Sequence, residues 1–187
     1  YIEFTANDED GGSPTSPLVY TFTAPTTGEY MLTARLLQNL EGAIWDKCND
    51  VYVKMDGDYT SGTDSYDMGI LTSFSKFYGR GKDNWGSASR GVVHENFAPF
   101  RYNLKKGEKY TFTMAGRAQR TCIDYILIFQ TGVNQINYGE EVDLASENDE
   151  KYRPQIMQCN EVNAVDFDKW KGIAGFTDAA TDNKEGR

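Results

Sequence analysis

The chain has no apolar stretch approaching the ~20 residues that a membrane-spanning helix requires, a single histidine and only three cysteines. Each scarcity removes a class of function. His94 stands beside Glu95 in a predicted strand. No Gly-x-Ser-x-Gly, His-Glu-x-x-His or glycine-rich phosphate loop accompanies it, so no nucleophile with its base and no phosphate cradle is assembled. Cys48, Cys122 and Cys159 have neither zinc-ribbon nor Cys-x-x-Cys spacing. One disulfide with a thiol left over, or three small core residues, both remain open. Basic residues are outnumbered 28 to 19, for a net charge of −9. The acidic residues are spread along the chain, which disfavours a general nucleic-acid binder because phosphate needs a basic surface. The first residue is Tyr1 rather than Met, so the chain is expected to be a piece of a longer protein, any signal peptide removed or never included.

What is present is aromatic and β-forming. The 12 Tyr and 10 Phe fall mostly in short runs bounded by Gly, Asn, Asp, Ser and Thr, as in all-β proteins. Residues 18–37, LVYTFTAPTTGEYMLTARLL, are two alternating runs around a Pro-Thr-Thr-Gly turn and predict a β-hairpin. Asp50–Met55 reads as a strand ending at the Asp56-Gly57 turn signal. Residues 56–73 are rich in Gly, Ser, Asp and Thr and predict a long surface loop. Phe74–Tyr78 predicts a short strand, and 79–91, GRGKDNWGSASRG, a second polar loop with one tryptophan. Alternation resumes at 94–97, 100–104, 110–115 and 122–129, then fades after Gln130. The expected organisation is an all-β sandwich over 1–130. Residues 131–187 are expected to form an irregular C-terminal extension that packs back, through Phe167, Trp170, Ile173 and Phe176, or a linker toward a further domain.

Three segments, taken together, carry a resemblance. VYTFTAPTTGEYMLTARLL at 19–37, Asn49-Asp50-Val51-Tyr52-Val53-Lys54, and GRAQRTCIDYIL at 116–127 are similar to the turn-and-strand hairpin, the Asn-Asp-aromatic-Val-Lys strand and the closing strand of family 6 and family 35 type carbohydrate-binding modules. The resemblance spans residues 18–129, and each motif alone is weak. It implies a jelly-roll β-sandwich of two antiparallel sheets and a polysaccharide or oligosaccharide ligand. It also implies a monomeric module attached to a glycoside hydrolase or polysaccharide lyase, secreted or at the cell surface, with neither nucleic acid nor membrane as partner. It further implies a structural Ca²⁺ held by Glu3 and Asp124. The family's early Glu-x-Glu is here Glu3 followed by Phe4 and Thr5. Read from the residues alone, Asp124 interrupts an apolar strand, and a buried carboxylate needs a cation or several donors. Pairing with Arg117 or Arg120, or exposure at a strand start, would satisfy it equally.

A sugar-binding surface needs an exposed aromatic ring and planar groups that bond adjacent hydroxyls. Trp85, without apolar neighbours, is the first choice as a platform, against the alternative that it pins its own loop. Trp45 follows Ile44, and an Ile-Trp pair capping the core is its stronger alternative. Of Phe77 and Tyr78, strand periodicity turns one outward, which makes Tyr78 a candidate; Asn49 supplies an amide. Arg80, Lys82, Arg117 and Arg120 supply cations, which point to an acidic glycan because a guanidinium holds a carboxylate or sulfate in two-pronged fashion. Two other function classes compete: a structural or adhesive spacer without a sugar ligand, and a glycan-active enzyme domain.

Overall fold

Alternating apolar residues produce strands, and tertiary pairing adds several that alternation does not announce. The computed structural model describes residues 1–79, 84–131, 161–164 and 170–172. Their strands are β1 (Ile2–Phe4), β2 (Thr15–Thr23), β3 (Gly28–Gln38), β4 (Asp50–Asp56), β5 (Thr60–Ser61), β6 (Ser75–Gly79), β7 (Trp85–Val93), β8 (Asn96–Ala98), β9 (Arg101–Leu104), β10 (Lys109–Gly116), β11 (Thr121–Gln130), β12 (Glu161–Ala164) and β13 (Trp170–Gly172). One turn of helix, α1 (Met68–Leu71), is capped by the Asp67 side chain accepting from the Ile70 amide.

Every pairing is antiparallel, in the order β12-β2-β10-β4-β6-β7-β3-β11-β1-β13, with β9 also on β3, β5 on β9 and β8 on β7. This ribbon curls over into an all-β sandwich. Phe4 of β1 packs on Gly116 of β10, strands far apart in the pairing order. The apolar side chains of β2, β4 and β10 (Leu18, Phe22, Val51, Val53, Met55, Phe112, Met114) and of β1, β3 and β11 (Ile2, Phe4, Leu32, Leu36, Ile123) share one core. Each large side chain so buried contributes roughly 1.5–3 kcal/mol.

The strand β7 joins the two layers. Its first half pairs with β3 (Trp85↔Leu37, Ala88↔Ala34) and its second with β6 (Arg90↔Tyr78, Gly91↔Phe77). A strand that changes sheets makes the corner of a sandwich. Its sequence reads as a loop because the corner demands small residues. A side-chain carbon on Gly91 would run into the ring of Phe100 and approach the Lys76 carbonyl oxygen at 2.9 Å. The expected strand through His94-Glu95 is instead the two-residue turn between β7 and β8, both residues having positive φ (47° and 64°).

The polar stretch 56–73 is also more structured than expected. It contains β5 and α1 and buries Tyr59, Tyr66 and Leu71 in the core. Its hydroxyls are put to use: Tyr59 donates to the Met55 carbonyl at 2.8 Å and Tyr66 to that of Asn96 at 2.7 Å. From the segment after Gln130, β12 pairs with β2 and β13 with β1. Phe167, Ile173 and Phe176 lie outside the described residues.

Candidate functional site

Three segments meet at the end of the sandwich where β3 leaves and β11 begins: 5–14, 39–49 and 117–120. Backbone bonds bind them, Cys48 N–H to the Glu9 carbonyl (3.2 Å), Gln119 N–H to that of Asp8 (3.0 Å) and Asn39 N–H to that of Arg120 (3.1 Å). Charges reinforce the join. Arg120 reaches Glu9 at 2.9 Å and Glu41 at 3.5 Å, and Lys47 pairs with Asp10. Asn7, Glu41, Cys48 and Arg120 all adopt positive φ here, a conformation uncommon outside glycine that persists where surrounding contacts hold it.

On this end the two tryptophans exchange the roles expected of them. Trp45 does not cap the core: its side chain is 55% exposed and that of Ile44 63%. The loop carrying them is nonetheless firmly held, because the Gln38 amide donates to the carbonyls of both Trp45 (2.9 Å) and Lys47 (2.8 Å). Trp85 is half-buried as the first residue of β7. The Arg35 guanidinium lies over its ring, 5.1 Å from the centroid, and Tyr1 meets it edge-on at 5.4 Å. Trp85 thus pins the corner strand in a stack that includes a cation.

The candidate metal ligands are placed differently from expectation. Asp124 occupies the bulge where β11 slips register against β3, between Ile123 and Tyr125. Its carboxylate accepts from Arg35 at 2.7 Å, with the terminal amine of Tyr1 at 4.0 Å. The cation that this carboxylate needs is therefore Arg35, not Arg117 or Arg120. Glu3 is buried in β1, opposite Cys122. Among the described residues no group of three or more His, Cys, Asp or Glu side chains gathers as a metal cage. Calcium takes six to eight oxygens, and here one oxygen of Asp124 is already held by Arg35.

Arg117 and Arg120 are committed within the protein. One Arg117 nitrogen donates to both oxygens of Asp50, at 2.8 and 2.7 Å, and Lys76 approaches the same carboxylate at 3.1 Å. Arg120 is held by its acidic neighbours and touches the Cys48 sulfur at 3.7 Å. Burial pushes the Cys48 thiol pKa up against the pull of that guanidinium, so the group is a protonated core thiol at neutral pH. Cys122 is buried too.

Asn49 is buried below the loop, its carbonyl accepting from Gly79 N–H at 3.1 Å. Tyr78 faces away from the core as periodicity requires, while Phe77 faces into it. It is nevertheless only 6% exposed, because Phe97 and Arg90 lie against it. Arg80 and Lys82 lie outside the described residues. Sequence reasoning missed Arg35 and Tyr1. Arg35 lies near the end of β3, and its position two residues before Leu37 on the less buried face of that strand was the available signal.

Compared with protein-family models, curated proteins and solved structures, the chain matches none.

Proposed function

We propose that this chain is a non-catalytic carbohydrate-binding module, secreted or displayed at the cell surface, that brings an attached polysaccharide-acting enzyme to its substrate. The observation that carries this reading is Trp45, an indole more than half exposed on a loop tied down by Gln38. Holding so large an apolar ring in water forfeits burial energy. A ring presented rigidly also costs little entropy when a ligand lies on it. Sugar rings offer a C–H face for such stacking, while the exposed carboxylates of Glu41 and Asp46 on the same loop supply planar groups for hydroxyls. The three-segment resemblance over residues 18–129 supports the same reading.

Affinity electrophoresis against neutral and acidic polysaccharides tests it. At least one should retard the chain. Trp45→Ala should weaken that retardation by about tenfold or more, as loss of a stacked aromatic worth ~1–3 kcal/mol implies. Trp85→Ala should mainly lower the melting temperature. No retardation by any polymer would sink the proposal, and retardation that EDTA abolishes would restore a cation beside Asp124.

A further inference from the structure

Away from the loop end, the outer face of β4, β6, β7 and β8 interleaves rings with cations. The outward side chains of β4 are Asp50, Tyr52, Lys54 and Asp56; those of β6 are Lys76 and Tyr78; β7 adds Arg90 and β8 adds Phe97. Phe74, just before β6, lies edge-on to Tyr52 at 6.4 Å. Each ring has a cation over it. Arg117 is 5.7 Å from the Tyr52 centroid and Lys54 is 5.7 Å from that of Phe74. Arg90 sits between Tyr78 and Phe97 at 5.2 and 5.3 Å.

Among the described residues the charges do not cancel within this face. Lys54 is matched by Asp56 at 2.8 Å. Asp50, however, is a single fully buried carboxylate facing two cations, Arg117 at 2.7 Å and Lys76 at 3.1 Å. One positive charge is left over there, on a chain whose net charge is −9. Two of the rings remain open to solvent, Phe97 at 54% and Phe74 at 37%. Four adjacent strands span about 14 Å, room for more than one sugar ring.

We propose that this face is a second binding surface, selective for an acidic polysaccharide. Phe74 and Phe97 would stack on sugar rings, while Lys76 meets their carboxylate or sulfate groups. The inference rests on the carbohydrate reading and sharpens it to a ligand class. Interleaved rings and cations could also suit single-stranded nucleic acid. The acidic glycan is favoured because it extends the carbohydrate reading of the loop end, and single-stranded DNA enters the test as a competitor.

The test is affinity electrophoresis of the full chain in gels containing polygalacturonate, a sulfated galactan or a neutral glucan, at low and at physiological salt. The proposal expects stronger retardation by one or both acidic polymers than by the glucan, weakening as salt rises. It expects a loss of about tenfold in Phe74→Ala/Phe97→Ala. Lys76→Gln, which removes the surplus cation while Arg117 still holds Asp50, keeps the test valid if the double variant does not fold; it should lower acidic retardation severalfold with a melting curve little changed. Retardation by the glucan alone would overturn this inference while leaving the carbohydrate reading standing. No retardation by any polymer would overturn both. Acidic retardation untouched by both variants, or single-stranded DNA competing as well as the acidic glycan, would overturn the placement or the ligand.

Discussion

Two regions of this protein use the same residue types to opposite ends. Where segments 5–14, 39–49 and 117–120 converge, cations are spent on carboxylates: Arg120 on Glu9 and Glu41, Lys47 on Asp10. On the outer face of β4, β6, β7 and β8, cations lie on rings, and two of them share one acid. The first arrangement holds strained backbone in place. The second leaves charge and ring surface for a ligand. An arginine in a sequence thus means little until its partner is known.

Asp50, on the outer face, holds Arg117 of the converging segments, and its removal should have the largest effect. Asp50→Ala leaves Arg117 and Lys76 facing each other without a countercharge, so it should cost about 3 kcal/mol or more in chemical denaturation. A loss under about 1 kcal/mol would mean that the two cations separate into solvent and that the contrast between the regions is weaker than drawn. Arg120→Ala tests the loop end alone. It should cost up to about 1 kcal/mol, as a partly exposed ion-pair network does, and leave salt-dependent retardation by acidic polymers unchanged. A change in that retardation would show that the loop end carries ligand-directed charge after all.

The smallest effect is expected at Glu29, remote from both regions. Its carboxylate accepts from the Thr63 amide at 2.6 Å, from the Thr131 hydroxyl at 2.9 Å and from Arg101 at 3.3 Å. Burial alone would raise its pKa, but these donors and the Arg101 charge outweigh it and hold it below the ordinary 4.5. A depressed carboxylate pKa stabilises the fold above the unfolded value, and that stability is lost as pH falls through the folded one. Glu29→Gln should therefore lower stability modestly at pH 7, and the difference from the parent chain should vanish once the pH has fallen from 4.5 through the lower pKa of Glu29 in the folded state. An equal difference at both pH values would assign the effect to geometry rather than charge.

Part of this organisation was legible from residue order. The strands β2, β3, β4, β10 and β11 announce themselves because one face of each is apolar. The hairpin expected of the first two does not form: β2 pairs with β10 and β12 and β3 with β7, β9 and β11, so the Pro-Thr-Thr-Gly turn carries the chain between strands far apart in the pairing order. The strand β7 was not legible. A corner that passes between sheets admits Gly and Ala where ordinary strands carry β-branched residues, and such a run reads as a loop. For the same reason Trp85 was mistaken for an isolated loop ring, when it opens that strand under Arg35.

The tryptophans mark the limit of reading a site from order alone. An Ile-Trp pair in sequence looks like core, because apolar neighbours usually share a pocket; here both side chains point into water. Nor does order say that Arg117 meets Asp50 across 67 residues or that Arg35 meets Asp124 across 89. The sequence by itself determined the all-β class, the alternation that builds the core and the acidic balance, since these depend on composition and on neighbours along the chain. Only the tertiary structure decided which rings face solvent and which cations are already matched, because exposure and charge pairing depend on groups that folding brings together from distant positions.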